Sequence, residues 1–273
     1  MNKYLEKHSN YVFRTKNRPE YISDLNEISE ETTTLYIHGD TKNIQKLGSF
    51  SKLEELWLSY VNQKEFEDII KLVNPKLLYI YDLKVDDLSL MERLTNLEIL
   101  EVEWNTKAAN LWDISKNKNL EALYIKDFSK LNDISLIRNS PSLKILSLSG
   151  GNSKPLKLQT LEDLGELNQL EYLGLSNVRI LDDSLEPISK LNNLKELGIS
   201  NQFPTEEYAK LSVMLPNTKC EKFNAFAPLG SPIGGKNVMV VGKRKPLLNN
   251  REDVIKLKKY EEQFKILQNK YRL

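Results

Sequence analysis

One glycine-rich segment has the spacing of a phosphate-binding loop. Gly230, Gly235 and Lys236 form a G-x-x-x-x-G-K run, and such a run binds nucleotide phosphates when it follows a strand and opens a helix. The next residue is Asn237, where these loops need Ser or Thr to hold magnesium, and residues 238–241 predict a strand instead of a helix. Nucleotide binding through residues 230–237 is therefore an alternative and not the leading hypothesis.

Side chains suited to metal, redox or acid–base chemistry are scarce. The chain has two histidines, His8 and His38, and one cysteine, Cys220. Neither histidine has a second histidine or a cysteine close to it in the sequence, so the spacing of a metal site or a catalytic triad is lacking. We expect no catalytic residue, no cofactor and no metal site, and Cys220 cannot form an intramolecular disulfide.

A periodic pattern of apolar residues contains 17 of the 45 leucines. The pattern L-x-x-L-x-L, with Ile or Val in some slots, recurs in six clear copies, and two weaker copies keep the same frame. The copies begin at Thr32, Leu53, Pro75, Leu97, Leu120, Leu143, Leu170 and Leu194, and a degraded ninth begins near Asn217. Unrelated amphipathic helices would not keep such a period, so the pattern indicates one repeating unit.

Over residues 32–222 the chain resembles the leucine-rich-repeat family, and residues 131–136 are similar to its short bacterial, SDS22-like type. The resemblance implies an α/β leucine-rich-repeat solenoid with a curved parallel sheet on the concave face and helices on the convex face. Residues 65–73 fit such a helix because their apolar side chains fall on one face. The family usually has Asn at the ninth repeat position. Here only Asn105 conforms, and we expect apolar contacts to replace it in several repeats.

The pattern predicts three regions. Residues 1–31 are expected to form an N-terminal cap, residues 32–222 the repeat domain with about eight repeats plus a degenerate ninth, and residues 223–273 a C-terminal region. In the first region, residues 19–25 predict a short helix with Pro19 in its first turn.

The C-terminal region is expected to contain a loop, a strand and a capping helix. Residues 223–235 predict the loop, residues 237–242 the strand, and residues 251–271 the helix. The apolar spacing of that helix also fits a coiled-coil seam, but over fewer than three heptads. A helix that docks on the end of the repeats is the favoured interpretation.

Alternate residues of each strand should point away from the core and line the concave face. In repeats one to five these positions carry large aromatic and acidic residues, whereas in repeats six to eight they carry Ser and Gly. The candidate partner-binding residues are Tyr36, His38, Trp57, Tyr79, Tyr81, Glu101, Glu103, Trp104 and Tyr124. Tyr and Trp commonly anchor protein interfaces, although aromatic residues also suit strands for structural reasons. The small-residue half could receive the C-terminal segment or the backbone of a ligand.

Charge constrains the class of partner. The formal net charge is +1, but residues 1–222 hold 28 Lys/Arg against 34 Asp/Glu, while residues 223–273 hold 11 against 4. The leading hypothesis is a non-enzymatic, monomeric, cytoplasmic module that binds a protein or peptide, with basic residues favoured in the partner, and an inhibitor or immunity role fits this class. Nucleic acid is not expected as a partner, and no segment is long and apolar enough to span a membrane. Besides nucleotide binding, the second alternative to this hypothesis is an adaptor that binds anionic surfaces through the basic C-terminal helix.

Overall fold

A parallel sheet of eight strands forms the body of the protein. The computed structural model describes residues 18–272, and the strands follow the chain in the order β1-β2-β3-β4-β5-β6-β8-β10. Their bounds are β1 Thr34–His38, β2 Glu55–Asn62, β3 Leu77–Lys84, β4 Ile99–Asn105, β5 Ala122–Phe128, β6 Ile145–Ser149, β8 Tyr172–Ser176 and β10 Glu196–Ile199. Two short strands, β7 (Leu156–Leu158) and β9 (Val178–Ile180), pair separately beside it.

The leucine frame of the sequence is the register of the sheet. Leu35 pairs with Leu56 and Leu100 pairs with Leu123, so equivalent repeat positions stand side by side. These side chains are fully buried and belong to one hydrophobic core that runs from the first repeat to the last. The prediction of a leucine-rich-repeat solenoid is confirmed.

The return segments are shorter than the predicted helices. Only two are α-helical: α1 (Gln63–Ile70) and α2 (Thr205–Met214). In α1, Asn62 and Glu65 form a reciprocal capping box, and Phe66 and Ile69 are fully buried. The other returns are 3₁₀ helices at Ile44–Ser49, Ser89–Arg93, Ile114–Lys116, Ser135–Asn139, Glu162–Glu166 and Glu186–Lys190. Repeats of this length leave room for only one or two turns between strands, and such short segments commonly adopt 3₁₀ geometry.

The turn that ends each strand is held by one asparagine and by apolar side chains. Asn105 is fully buried; its Nδ2 donates to the Val85 carbonyl, and its Oδ1 accepts from the Lys107 and Ala108 amides, each at 2.8 Å. Equivalent ninth positions in other repeats hold apolar residues, all of them buried: Val61, Leu83, Phe128 and Val178. In these four repeats packing therefore takes the place of the family's usual asparagine, as the sequence predicts.

Position eight, one residue earlier, turns the chain through the left-handed region. Five non-glycine residues at this position have φ between 50° and 64°: Tyr60, Asp82, Trp104, Asp127 and Asn177. Asn and Asp tolerate this conformation, whereas bulky side chains adopt it at a cost. Two of the five repeats therefore hold an aromatic residue where the backbone favours a small polar one.

The N-terminal segment is extended where a helix was predicted. Residues 19–25 do not form that helix; Tyr21 pairs with Tyr36, and Asp24 pairs with Lys42. A 3₁₀ turn over Leu25–Glu27 follows, with Asp24 as its N-cap. Backbone pairing with the first repeat satisfies the same hydrogen-bonding groups that a helix would have used. His8 and residues 1–17 of the predicted cap lie outside the described residues.

The C-terminal region contains a β-hairpin where a loop was predicted. Strand β11 (Phe226–Ile233) pairs antiparallel with β12 (Lys236–Val240), and β13 (Leu247–Leu248) pairs with β12. Gly234 and Gly235 form the turn with φ of 54° and 75°, values that glycine adopts without strain. The paired glycines therefore mark a hairpin turn, which sequence reasoning took for part of a loop.

The final helix, α3 (Val254–Asn269), packs against α2. Its Leu257 and Phe264 are buried, and Tyr271 donates a hydrogen bond to Glu206 at 2.8 Å. None of the helices within residues 18–272 has the length and apolarity needed to cross a membrane.

A row of ion pairs follows the edge of the sheet where the strands begin. The second repeat position alternates in charge between several neighbouring repeats, and the pairs are Glu54–Lys76 at 2.6 Å, Glu121–Lys144 at 2.7 Å and Glu171–Lys195 at 2.7 Å. Each pair joins one repeat to the next. Exposed pairs of this kind contribute about 0–1 kcal/mol each.

Candidate functional site

The fifth residue of each repeat, counted from the first leucine slot, forms a row along the sheet. The first two aromatic residues of this row are buried and do not form a binding surface. Tyr36 is 6% exposed and Trp57 is 2% exposed. The Trp57 indole Nε1 donates to Glu55 Oε1 at 2.6 Å, and its ring centroid lies 5.0 Å from that of Tyr79. The prediction that Trp57 offers a contact surface is therefore wrong, because packing and a hydrogen bond already occupy the indole.

The next residues of that row are half-buried and carry perturbed phenols. Burial, with the nearby carboxylates of Glu103 and Glu101 second, raises the pKa of Tyr79 far above its usual range. The pKa of Tyr124 is raised in the same way, by burial first and by Glu101 second. Both phenols stay protonated at physiological pH and can only act as neutral hydrogen-bonding groups. Tyr79 donates to Glu103 at 3.4 Å.

A continuous line of rings lies beside this row, where the first strands end. We call it the aromatic rim, and it consists of Tyr21, His38, Tyr60, Tyr81 and Trp104. The Tyr21 and His38 rings stack at 4.0 Å. The following centroid distances are 4.9 Å from His38 to Tyr60, 6.0 Å from Tyr60 to Tyr81 and 5.7 Å from Tyr81 to Trp104. The last three steps are within the range of favourable ring–ring contacts, and the first is a closer stack.

Three members of the aromatic rim are strongly exposed. The exposed fraction is 42% for Tyr21, 52% for Tyr60 and 42% for Trp104. Tyr60 and Trp104 are also the two aromatic residues with left-handed backbone, a conformation that costs a bulky residue about 1–2 kcal/mol. A rigid row of rings that remains exposed at such a cost has the composition of a protein-binding surface.

His38 is fixed in the aromatic rim and is neutral. Its Nε2 lies 2.9 Å from the Tyr36 hydroxyl, and its backbone N–H donates to Thr41 Oγ1 at 3.0 Å. Burial lowers the pKa of His38, against a smaller opposing effect of Asp40. The ring therefore has the role of an aromatic contact. Among residues 18–272, His, Cys, Asp and Glu form no group of three or more that could hold a metal ion.

Acidic and basic side chains stand beside the aromatic rim. Glu103 pairs with Lys126 at 2.5 Å, and Asp82 pairs with Lys84 at 3.4 Å. Asp82 is buried, whereas both lysines keep about half of their side-chain surface exposed. The carboxylates thus lie closer to the sheet than the ammonium groups that neutralise them.

One tyrosine of the sheet occupies part of the small-residue half of the sheet face. A Cβ atom on Gly174 would lie 3.2 Å from the Tyr172 ring, and one on Gly198 would lie 3.1 Å from the Tyr172 hydroxyl. The two glycines thus make room for the half-buried Tyr172 ring.

A polar cleft of about 480 Å³ lies in the C-terminal half, beside β9 and the loop after β12. Arg179, Lys243 and Arg244 line it together with Asp183, and Lys243 pairs with Asp183 at 2.7 Å. The two arginines leave the cleft with an excess of positive charge. This region contrasts with the aromatic rim in both shape and chemistry.

The glycine-rich segment 230–237 lies in the hairpin and lacks the helix of a phosphate-binding loop. Lys236 begins β12, and its Nζ bonds the carboxylate of Asp253 at 3.1 Å. That carboxylate also accepts from Lys256 and from the Asn249 amide, and these bonds hold the pKa of Asp253 far below its usual range. The lysine therefore joins the hairpin to α3, and the segment does not support nucleotide binding.

Part of the aromatic rim was predictable from the sequence. His38, Tyr81 and Trp104 were predicted, whereas Tyr21 and Tyr60 were not. Tyr60 occupies the same eighth position as Trp104, so alignment of the repeats on that position would have found it. Tyr21 precedes the repeats, and no periodic signal marks it.

Similarity to known proteins is found among solved structures. No protein-family model and no curated protein matches the chain. Solved structures that are similar include an internalin of Listeria monocytogenes, at 16% identity over 69% of this chain and 66% of that one, with a TM-score of 0.44. A leucine-rich-repeat protein of Leptospira interrogans is 20% identical over 74% of this chain and 58% of that one, with a TM-score of 0.46.

A plant peptide hormone receptor, solved in complex with its peptide RGF2, is 16% identical over 70% of this chain and 39% of that one, with a TM-score of 0.37. The chain thus spans between about two fifths and two thirds of the length of these three structures.

Proposed function

We propose that the chain is a non-enzymatic binding module that captures a protein or peptide partner on the aromatic rim. The observation that carries this proposal is the exposure of Tyr60 and Trp104 from left-handed backbone positions. Folding alone favours a small polar residue at these positions, and three other repeats have Asp or Asn there. Contact with a partner gives a reason for aromatic residues at these positions, which folding alone does not give.

The organisation of the surface supports a binding role over catalysis. The rings are held by their neighbours at 4.0 to 6.0 Å, so little side-chain freedom is lost when a partner binds. The perturbed phenols and the neutral histidine contact one another and carboxylates. Within residues 18–272 they do not form the pairing of nucleophile and base that catalysis requires.

The proposed site corrects the concave-face hypothesis in its position. Trp57 and Tyr36 belong to the packing beneath the site, and Tyr79, Tyr124, Glu101 and Glu103 form its half-buried flank. A partner would contact the edge of the sheet where the first four strands end. An inhibitor or immunity protein would use such a fixed surface to cover a partner enzyme or toxin, and this role is the proposed biological setting.

A capture experiment tests the proposal. The wild-type chain and the double variant Tyr60→Asn/Trp104→Asn are immobilised, and retained proteins are identified by mass spectrometry. Leu181→Ser is the matched control, because Leu181 is equally exposed, at 52%, but lies far along the chain beyond β9. We expect a set of proteins that the wild type and the control retain and the double variant loses. Retention of the same proteins by all three chains would contradict the proposal.

A further inference from the structure

Three rings of the aromatic rim form a notch with a floor and two walls. Tyr81 is the floor, and it is less exposed than its neighbours. Tyr60 stands at 87° to the Tyr81 ring and Trp104 stands at 62° to it, with centroids 6.0 and 5.7 Å away. Both contacts are edge-to-face, and the ring surface of Tyr60 and Trp104 that stays exposed beside Tyr81 can contact a cation.

Negative charge lies close to the floor of the notch. The pKa of Tyr81 is raised by burial first and then by the charge of Glu103, by Tyr60 and by Asp82, with Lys126 acting in the opposite direction. The carboxylates therefore act on the ring between Tyr60 and Trp104. Both also pair with lysines of the chain, Glu103 with Lys126 and Asp82 with Lys84. A cationic group that entered the notch would contact aromatic rings and would lie near two carboxylates whose charge these lysines partly offset.

The lysines nearest the notch bind carboxylates of the chain, Lys126 to Glu103 and Lys84 to Asp82. No Lys or Arg within residues 18–272 is placed over the rings of the notch. As far as these residues extend, the rings therefore keep exposed surface for a cation from another molecule.

The alternative that the rings only shield the strands does not explain where they stand. Shielding residues are expected at regular strand positions, as Trp57 and Tyr79 are. Tyr60 and Trp104 occupy left-handed positions near the ends of β2 and β4 and keep about half of their surface exposed. Their backbone and their exposure point independently to a ligand.

We infer that this notch of Tyr60, Tyr81 and Trp104 binds the side-chain ammonium or guanidinium group of a Lys or Arg on the partner. The inference deepens the proposed function, since it names the chemistry of the partner that the aromatic rim captures. It also limits the partner: a peptide without a basic side chain at the contact would lose the enclosed interaction.

Titration with a small cation tests the notch directly. Tetramethylammonium is added to the full chain, and the indole N–H resonance of Trp104 is followed by NMR; tert-butanol, of similar size and uncharged, is the matched probe. We expect a saturable shift with the cation and an affinity about fivefold weaker for the alcohol. Equal affinity for both probes would overturn the inference, as would the absence of a saturable shift at Trp104.

Two variants separate the walls of the notch from its fold. Tyr60→Asn removes one wall and introduces a residue that the left-handed backbone accepts. The affinity for the cation, measured from the shift at Trp104, should therefore fall at least fivefold. Tyr60→Phe keeps the ring and should preserve the shift. An unchanged affinity in Tyr60→Asn would contradict the inference, even if the chain captures a partner. Cation binding by a chain that captures no partner would instead contradict the proposed function.

Discussion

The two halves of the sheet solve the same structural problem with different side chains. In repeats one to four, the strand ends carry the aromatic rim, and three of its five members are strongly exposed. In repeats six to eight, Gly174 and Gly198 lie beneath the Tyr172 ring, and the strand ends lead to a polar cleft with two arginines. The backbone register is the same in both halves. The difference teaches that the fold does not require exposed aromatic residues at the strand ends.

Trp57 and Trp104 were both predicted as partner contacts, but they differ in burial. Their replacement gives the largest expected difference in the free energy of unfolding. Trp57→Ala should lower the free energy of unfolding by about 3–5 kcal/mol, since it empties a buried site. Trp104→Asn should change it by less than about 1 kcal/mol, because the indole is largely exposed. Urea denaturation followed by circular dichroism measures both. Equal losses would show that the exposed ring is structural and would remove the contrast between core and rim.

The C-terminal half can be tested through the space under Tyr172. Gly174→Ala should destabilise the chain by about 1–2 kcal/mol, because the new methyl group would meet Ser147 Oγ at 3.0 Å and the Tyr172 ring at 3.2 Å. In a Tyr172→Ala background the same substitution should cost much less, since the ring is absent. A double-mutant cycle by urea denaturation measures this coupling. Additive effects would mean that the glycine is not there to accommodate the tyrosine.

Position 104 itself distinguishes the cost of the backbone from the loss of the ring. Trp104→Asn and Trp104→Ala both remove the indole, but Asn accepts a φ of 64° more readily than Ala. We expect the Asn variant to be more stable than the Ala variant by about 1 kcal/mol in thermal or urea denaturation. The same pair at Ser147, within a regular strand, is the control and should not favour Asn. Equal stability of the two variants at position 104 would contradict the argument from backbone strain.

The smallest expected effect is the pH response of the aromatic rim. The pKa of His38 is lowered by burial from its usual value of 6.5, so the unfolded chain takes up a proton that the folded chain resists. Stability should therefore be complete above about pH 6.5 and should fall as the pH drops below it. Urea midpoints at pH 5.5 and 7.5 measure this response in the wild type and in His38→Gln. An equally steep loss in the variant would assign the response to other groups.

The repeat was predictable because its signal is periodic. Leu56, Leu78 and Leu100 recur in one frame, and burial in a shared core follows directly from that frame. The parallel sheet and the buried apolar residues at the ninth position were accessible for the same reason. The period predicts which face of the strand a side chain lies on, and these three leucines are buried as predicted.

What lay outside the periodic signal could not be read from the sequence. The burial of Trp57 depends on contacts with Glu55 and Tyr79, and position within a repeat says nothing about them. Paired glycines occur in loops as well as in hairpin turns, and their φ values, which the sequence does not give, distinguish a loop from a hairpin turn. The aromatic rim combines residues from the repeats with Tyr21, which pairs with the first repeat through its backbone and precedes the repeating pattern.

The ion pairs at the beginning of the strands give several repeats a preferred neighbour. Lys76 stands between Glu54 and Glu98, so removal of its repeat would place two carboxylates side by side. The chain already holds one such contact, because Glu98 and Glu121 occupy this position in adjacent repeats. Each effect is small, so the charges favour the present order of repeats whose leucines are equivalent, and they leave the number of repeats to the packing of the core.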